Sequence, residues 1–326
     1  MSDPTEKEIS IPWPGKSAIM VTLTTPPEGM TLSGFGLILG PGAGGDEKTS
    51  LLTAVAKEVA KQGHYCARYR TRVPNLGFRV SVCTRVMEYL FHPTSGLYPL
   101  KGCFHGGHSM GTRVAGTVAS QIALKGSEPP VVVVVAGATT TTATTPTKKR
   151  ATRGKKAATK DSDSTTTVSS SSSDFPQDFI TGLILYSYPL HTQDNTKSLR
   201  DQILYNIPST TPTLFVSGLN DSMCSTTLFE KVFADMKSSP REVIRIKSAD
   251  HGLGFGNSLA GQARKERLIE SIVEWTVAFM DDSIARNTIE EKKKTTKNTA
   301  DVATKKTAVL EKNNGDEWTL SLSTDT

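Results

Sequence analysis

Lys101 to Leu124 reads KGCFHGGHSMGTRVAGTVASQIAL. A short strand-forming run, Lys101 to Gly106, leads into Gly107-His108-Ser109-Met110-Gly111, and a helix rich in small residues follows from Thr112 to Leu124. The pattern G-x-S-x-G arises easily by chance in a chain this rich in glycine and serine, so its weight comes from the strand before it and the helix after it. In that setting the flanking glycines let helix and strand approach closely. The serine then occupies a strained turn with its hydroxyl exposed at the top of a sheet. The plainer alternative is a glycine-rich turn with an idle serine.

The segments on either side extend the same architecture. Ile19 to Thr24 and the apolar run Phe35 to Gly40 read as strands buried in a sheet. A glycine-rich loop, Pro41 to Asp46, follows. Leu51, Leu52, Val55 and Val59 then share one face of a helix over Thr49 to Gln62, with Gly63 as its C-terminal stop. His64 to Tyr69 is a strand, and Phe78 to Phe91 a helix ended by Pro93. Further on, Phe179 to Tyr186, Thr213 to Gly218 and Glu242 to Ile246 read as strands. Ser225 to Met236 and Ser258 to Met280 read as helices. Strands alternating with helices predict a mostly parallel sheet covered on both faces, with ligands bound where the strands' carboxyl ends turn into helices.

Composition limits the function classes. Hydrophobic residues are 37% of the 326 and charged residues 21%. The apolar shortfall falls in Thr/Ser/Lys-rich stretches and leaves a body long enough for a full core. No apolar run approaches the roughly 18 residues of a membrane span, so no membrane association is expected. The net charge of +6 traces to seven basic residues between Lys148 and Lys160, so it marks a linker more than a nucleic-acid surface. A tether or nuclear-import role for that run is the lesser reading. The first ten residues carry acids and no apolar signal core, and Cys66, Cys83, Cys103 and Cys224 follow no paired spacing. Both features suggest an intracellular protein, cytoplasmic or nuclear, with reduced thiols and no metal site. The expected organisation is an N-terminal extension over 1–16, one domain over 17–283, and a disordered Lys/Thr-rich tail over 284–326. A low-complexity insertion, read as disordered, interrupts the domain at about 126–178. Within it Val131 to Val135 reads as an edge strand or a hydrophobic patch.

A serine hydroxyl needs a histidine to take its proton and a carboxylate to orient that histidine. Two histidines follow Ser109. These are His191 and His251, and His251 lies in Ser248-Ala249-Asp250-His251-Gly252, a loop just past the last predicted strand and before the final helix, where a base would hang over the serine. Asp221 ends Gly218-Leu219-Asn220-Asp221 after TLFVSG and is the first choice of acid, with Asp250 and Asp194 as rivals. The backbone amides of Met110 and Ala43, the latter in the Gly42-Ala43-Gly44 loop, are the candidate oxyanion donors. A phosphate cradle is not expected, because Asp46-Glu47 stand where a phosphate loop carries lysine and a hydroxyl. This chemistry requires no cofactor.

Five ordered motifs, LILGPGAGGD, FHGGHSMGTRVA, GLILYSYPLH, TLFVSGLNDSMCS and SADHGLGF, resemble the α/β-hydrolase-like family of testis-expressed protein 30 and NSL complex subunit 3. That family sits beside the dienelactone-hydrolase-like enzymes. The resemblance spans roughly residues 17 to 280 outside the insertion. It implies an α/β-hydrolase fold with Ser109 as nucleophile, Asp221 as acid and His251 as base. Gly42, His108, Tyr188 and His191 would line the pocket. Relatives usually carry histidine where this chain has Pro41, and the long insertion is foreign to them. The implied activity is a serine hydrolase acting on a small-molecule ester, thioester or related acyl bond. The alternative is a non-catalytic module of the same fold that docks protein partners.

Overall fold

A computed structural model describes residues 2–44, 46–126, 175–292, 303–312 and 318–324. Its strands and helices follow in the order β1 (Thr5–Ile11), β2 (Ile19–Thr25), β3 (Phe35–Gly40), α1 (Ser50–Lys61), β4 (Tyr65–Tyr69), α2 (Leu76–Phe91), β5 (Gly102–His108) and α3 (Met110–Gly126). After the insertion come β6 (Ile180–Tyr186), α4 (Gln202–Tyr205), β7 (Thr213–Gly218), α5 (Thr226–Asp235), β8 (Arg241–Ile246), α6 (Leu259–Lys292), β9 (Ala303–Lys312) and β10 (Trp318–Thr324). Residues 127–174 of the predicted insertion, Val131–Val135 included, lie outside the described residues. Phe175 packs its ring 4.9 Å from that of Phe179.

The strands form one sheet in the order β1-β2-β4-β3-β5-β6-β7-β8-β9-β10. Every neighbouring pair from β4 through β9 is parallel, and only β1/β2, β2/β4 and β9/β10 are antiparallel. Both faces of the central strands are covered, which is why their sequences are continuous apolar runs. In β6, Leu183 and Leu185 face one core while Ile184 and Tyr186 face the other. The first core receives α2 through Val82, Val86 and Leu90, and α3 through Val114 and Val118. The second receives α1 through Leu52, Val55 and Val59, and α6 through Leu268 and Ile272. Full burial of each such side chain contributes about 1.5–3 kcal/mol. Local signals agree: the Asn75 side chain accepts a 2.8 Å hydrogen bond from the amide of Phe78 to cap α2. Gly63 follows α1 at φ +85, where a Cβ would lie 2.6 Å from the Thr31 carbonyl.

Two of the expected boundaries need correction. Residues 1–16 are not an extension outside the fold, because β1 pairs with β2 from Thr5 to Ile11. Its sequence, TEKEISI, is polar and exposed apart from Ile9 and Ile11, too few apolar residues to mark a strand. Its anchor is electrostatic: the Glu6 carboxylate pairs with the buried Arg68 guanidinium of β4. The Lys/Thr-rich stretch after residue 284 likewise carries structure. Helix α6 runs to Lys292, and β9 pairs in parallel with β8, burying Ala308 and Leu310 in the second core. Its period-two apolar signal is only those two residues long, and the lysines between them conceal it. Lys306 meets Glu242 of β8 at 2.5 Å. Among the described residues, no helix is long and apolar enough to cross a membrane. All four cysteines are free and buried.

Burial also sets an acid sensitivity. His105, in the middle of β5, is fully buried, and burial pushes its pKa from 6.5 down to about 3. It stays neutral in the fold while the unfolded chain takes up a proton, so the unfolded state binds more protons between those two values. Stability should fall as pH drops from about 6.5 toward 3, by up to about 1.4 kcal/mol per pH unit from this residue. Urea unfolding of the parent and His105→Leu between pH 6.5 and 4.5 checks this. The variant's slope against pH should be shallower, and identical slopes would refute the assignment.

Candidate active site

The carboxyl ends of β3, β5, β7 and β8 each release one part of the site. β5 ends at His108, and Ser109 follows with φ 52, in the left-handed region that costs a non-glycine residue about 1–3 kcal/mol. The turn is tied down on both sides: the Ser109 amide donates to the Tyr186 carbonyl at 2.9 Å, and its carbonyl accepts from the Thr112 amide at 3.0 Å. The glycines of the motif are steric requirements. A Cβ on either Gly107 or Gly111 would lie 2.1 Å from the Gly40 carbonyl oxygen.

Ser109, His251 and Asp221 come together. The Ser109 Oγ lies 2.9 Å from His251 Nε2, and His251 Nδ1 lies 2.9 and 2.8 Å from Asp221 Oδ1 and Oδ2. The Asp221 side chain is fully buried, while the His251 ring keeps 22% of its surface exposed. The Met223 amide donates to Asp221 Oδ1 at 2.7 Å, fixing the carboxylate from behind. With Nδ1–H directed at Asp221, Nε2 is free to accept the serine proton. The rival acids are elsewhere. Asp250 turns back on its own loop and accepts from the amides of Gly252 and Gly254 at 2.8 Å each. Asp194 lies exposed in the loop after β6.

A cavity of about 450 Å³ opens over Ser109 and His251. Gly42, Ala43 and His108 are in its wall. Tyr188 and His191, expected there, are not: both are buried and occupied with backbone. The Tyr188 hydroxyl donates to the Arg200 carbonyl at 2.6 Å. His191 Nδ1–H donates to the Thr192 carbonyl at 2.9 Å while Nε2 accepts from the Ser225 amide at 3.0 Å, so this imidazole clamps the loop that carries Asp221. His108 has a comparable task. Its Nε2–H donates to the His251 carbonyl at 2.9 Å, and burial lowers its pKa, which favours the neutral ring.

Helix α3 begins at Met110, so the Met110 amide is one of the first-turn N–H groups with no acceptor within the helix. The Ala43 loop is held by a residue that the sequence reading missed. Arg79 of α2 is fully buried and donates to five carbonyls. These are Val73 at 2.6 Å, Pro41 at 2.9 Å, Gly42 at 3.2 Å, Thr71 at 3.2 Å and Ala43 at 3.4 Å. Three consecutive loop carbonyls are thereby turned toward one cation. A signal was present in the sequence: Arg79 shares the apolar stripe of Val82, Cys83 and Val86, where a lone cation must find partners.

A family model described as an alpha/beta hydrolase domain matches residues 165–281, a span that includes Asp221 and His251 and stops short of Ser109. Among solved structures, Est1E from Butyrivibrio proteoclasticus is 12% identical with a TM-score of 0.51, covering 86% of this chain and 100% of its own. Dienelactone hydrolase from Anabaena variabilis ATCC 29413 is 13% identical with a TM-score of 0.51, covering 85% and 99%. At such identities the likeness is one of fold. The chain has the α/β-hydrolase fold, with a mostly parallel sheet between two layers of helices.

Arg79→Met should strand those carbonyls in the interior and cost about 3–5 kcal/mol in urea unfolding. The Gly42 and Ala43 amides should also exchange hydrogen faster. Arg79→Lys should recover only part of the loss, because an ammonium has three donors and no planar fork. A Met variant as stable as the parent would mean that the arginine does not hold the loop.

Proposed function

We propose that the protein is a serine hydrolase that cleaves an ester, thioester or related acyl bond of a small molecule through an acyl-enzyme. The observation that carries this reading is the unbroken chain of contacts from Ser109 Oγ through His251 to Asp221, at 2.9 and 2.8 Å, at the floor of a cavity. Ser109 attacks the acyl carbon while His251 Nε2 takes its proton and later returns it to the leaving group. Asp221 holds the tautomer and balances the imidazolium. The oxyanion is received by the amides of Ala43 and Met110, a role worth roughly 10²–10³ in rate for each donor. The acyl-enzyme is then hydrolysed by a water activated by the same histidine. Membership of the testis-expressed protein 30 and NSL complex subunit 3 family is part of this proposal and rests on the five sequence motifs.

Two experiments test it. A fluorophosphonate probe should label the parent chain and leave Ser109→Ala unlabelled. On an activated ester, Ser109→Ala and His251→Ala should each lower turnover by at least about 10³-fold, and the double variant should be scarcely worse, because the groups act as a unit. Asp221→Asn should lose less, roughly 10²–10⁴-fold, through the wrong histidine tautomer. Melting temperatures control for folding. Unchanged turnover in Ser109→Ala on well-folded protein would favour the docking-module alternative.

A further inference from the structure

Helix α6 presents Lys265, Leu268, Ile269 and Ile272 at helical spacing along one face, and Lys265, Ile269 and Ile272 all line the cavity over Ser109. Much of the wall near them is apolar, contributed by Leu51, Met223 and Leu253. Among the described residues lining the cavity, Lys265 is the one lysine, arginine or carboxylate. It has no ion-pair or hydrogen-bond partner among the described residues, and its side chain is half-buried. Its neighbour Arg264 is engaged elsewhere, with its guanidinium 4.0 Å from the centroid of the Phe255 ring.

A half-buried cation beside the apolar stripe of a helix is costly unless something compensates it, and no such partner stands among the described residues. We infer that Lys265 is a substrate-recognition residue and that the ester cleaved at Ser109 carries an anionic group, a carboxylate or phosphate, held by this ammonium while its apolar portion lies against Leu51, Ile269 and Ile272. This rests on the serine-hydrolase reading and adds the substrate class to it. A neutral ester entering the cavity would strip water from Lys265 and give nothing back, whereas an anionic one supplies the missing partner. Lys265 therefore discriminates by penalising the neutral competitor as well as by attracting the anion. The group can sit on the acyl side or on the alcohol side of the scissile bond, and the experiment separates the two.

The full-length protein is assayed on p-nitrophenyl hexanoate and on the p-nitrophenyl monoester of adipic acid, which places a carboxylate at the far end of an acyl chain of equal length. A second arm replaces p-nitrophenol by a nitrophenol bearing a ring carboxylate, esterified with hexanoate. Comparing parent and Lys265→Gln on the same esters cancels their intrinsic reactivities. The anionic-to-neutral ratio of kcat/KM should fall roughly five- to tenfold in Lys265→Gln. It should be kept in Lys265→Arg, invert in Lys265→Glu, and shrink in the parent as salt is raised. The arm in which it falls names the side that carries the charge. Equal ratios in parent and Lys265→Gln in both arms, with neutral-ester turnover still dependent on Ser109, would overturn the inference alone. Loss of that Ser109 dependence would overturn the hydrolase reading with it.

Discussion

The carbonyl oxygen of Gly40 occupies the space that a Cβ would need on both Gly107 and Gly111, at 2.1 Å from each. Strand β3 and the β5–α3 turn therefore meet backbone to backbone, and much else in the site depends on that closeness. It accompanies the pairing of Gly40 with Gly107 at the carboxyl end of the two strands, so the loop that follows β3 emerges beside Ser109. A Cβ on Gly42 would be 3.6 Å from that of Ser109. It also leaves the chain no room for a gradual turn, and Ser109 takes up the left-handed backbone that aims its hydroxyl away from the sheet. The Ser109 turn and the Gly42–Ala43 loop, the proposed nucleophile and oxyanion donors, are thus one packing arrangement, since a side chain at either glycine would displace both.

Each loop of the site is further held by one polar side chain whose partners are backbone groups. His108 holds the His251 carbonyl, His191 holds the Ser225 amide beside Asp221, and Arg79 holds the carbonyls of Pro41, Gly42 and Ala43. A buried polar group left without a partner costs about 1–3 kcal/mol, so each loop is penalised for leaving its position. That is the energetic content of preorganisation: dipoles are set before any substrate arrives and need not reorient as charge develops. Pro41 is instructive here. It offers the loop no side-chain donor, and the cation beneath the loop comes from the next helix but one along the chain.

Legibility in the sequence followed burial. The central strands were readable because both of their faces are covered and their sequences are mostly apolar, as in GLILY and TLFVSG. Ser109, Asp221 and His251 were readable because Ser109 directly follows β5, and Asp221 and His251 lie a few residues beyond β7 and β8, at the strand ends where such sheets carry their ligand-binding loops. The sheet margins were not. β1 is fastened by Glu6 to Arg68, a contact across 62 residues that no local pattern announces, and β9 buries only Ala308 and Leu310 among lysines and threonines. Tyr188 and His191 were misjudged for a related reason. Residues adjacent in sequence to a pocket-forming strand end can turn inward to satisfy backbone, and only their hydrogen bonds distinguish support from lining.

Among the cations on buried or apolar faces of this fold, three are instructive, and their partners sort them. Arg68 is matched by the Glu6 carboxylate, the Glu47 carbonyl and the Thr53 hydroxyl, and so belongs to the scaffold. Arg79 is matched by five carbonyls and no carboxylate; its positive charge remains uncancelled beneath a loop proposed to receive a developing oxyanion, where its field gains in value as negative charge appears. Lys265 is matched by nothing in the described chain and opens on the cavity. The desolvation cost is of the same kind in all three, so the difference lies in where compensation comes from: a side chain, the backbone dipoles, or a molecule that is not part of the protein. A cation without compensation among the described residues points to a ligand, as proposed for Lys265, and its place on the α6 stripe puts that ligand against the same wall that faces Ser109.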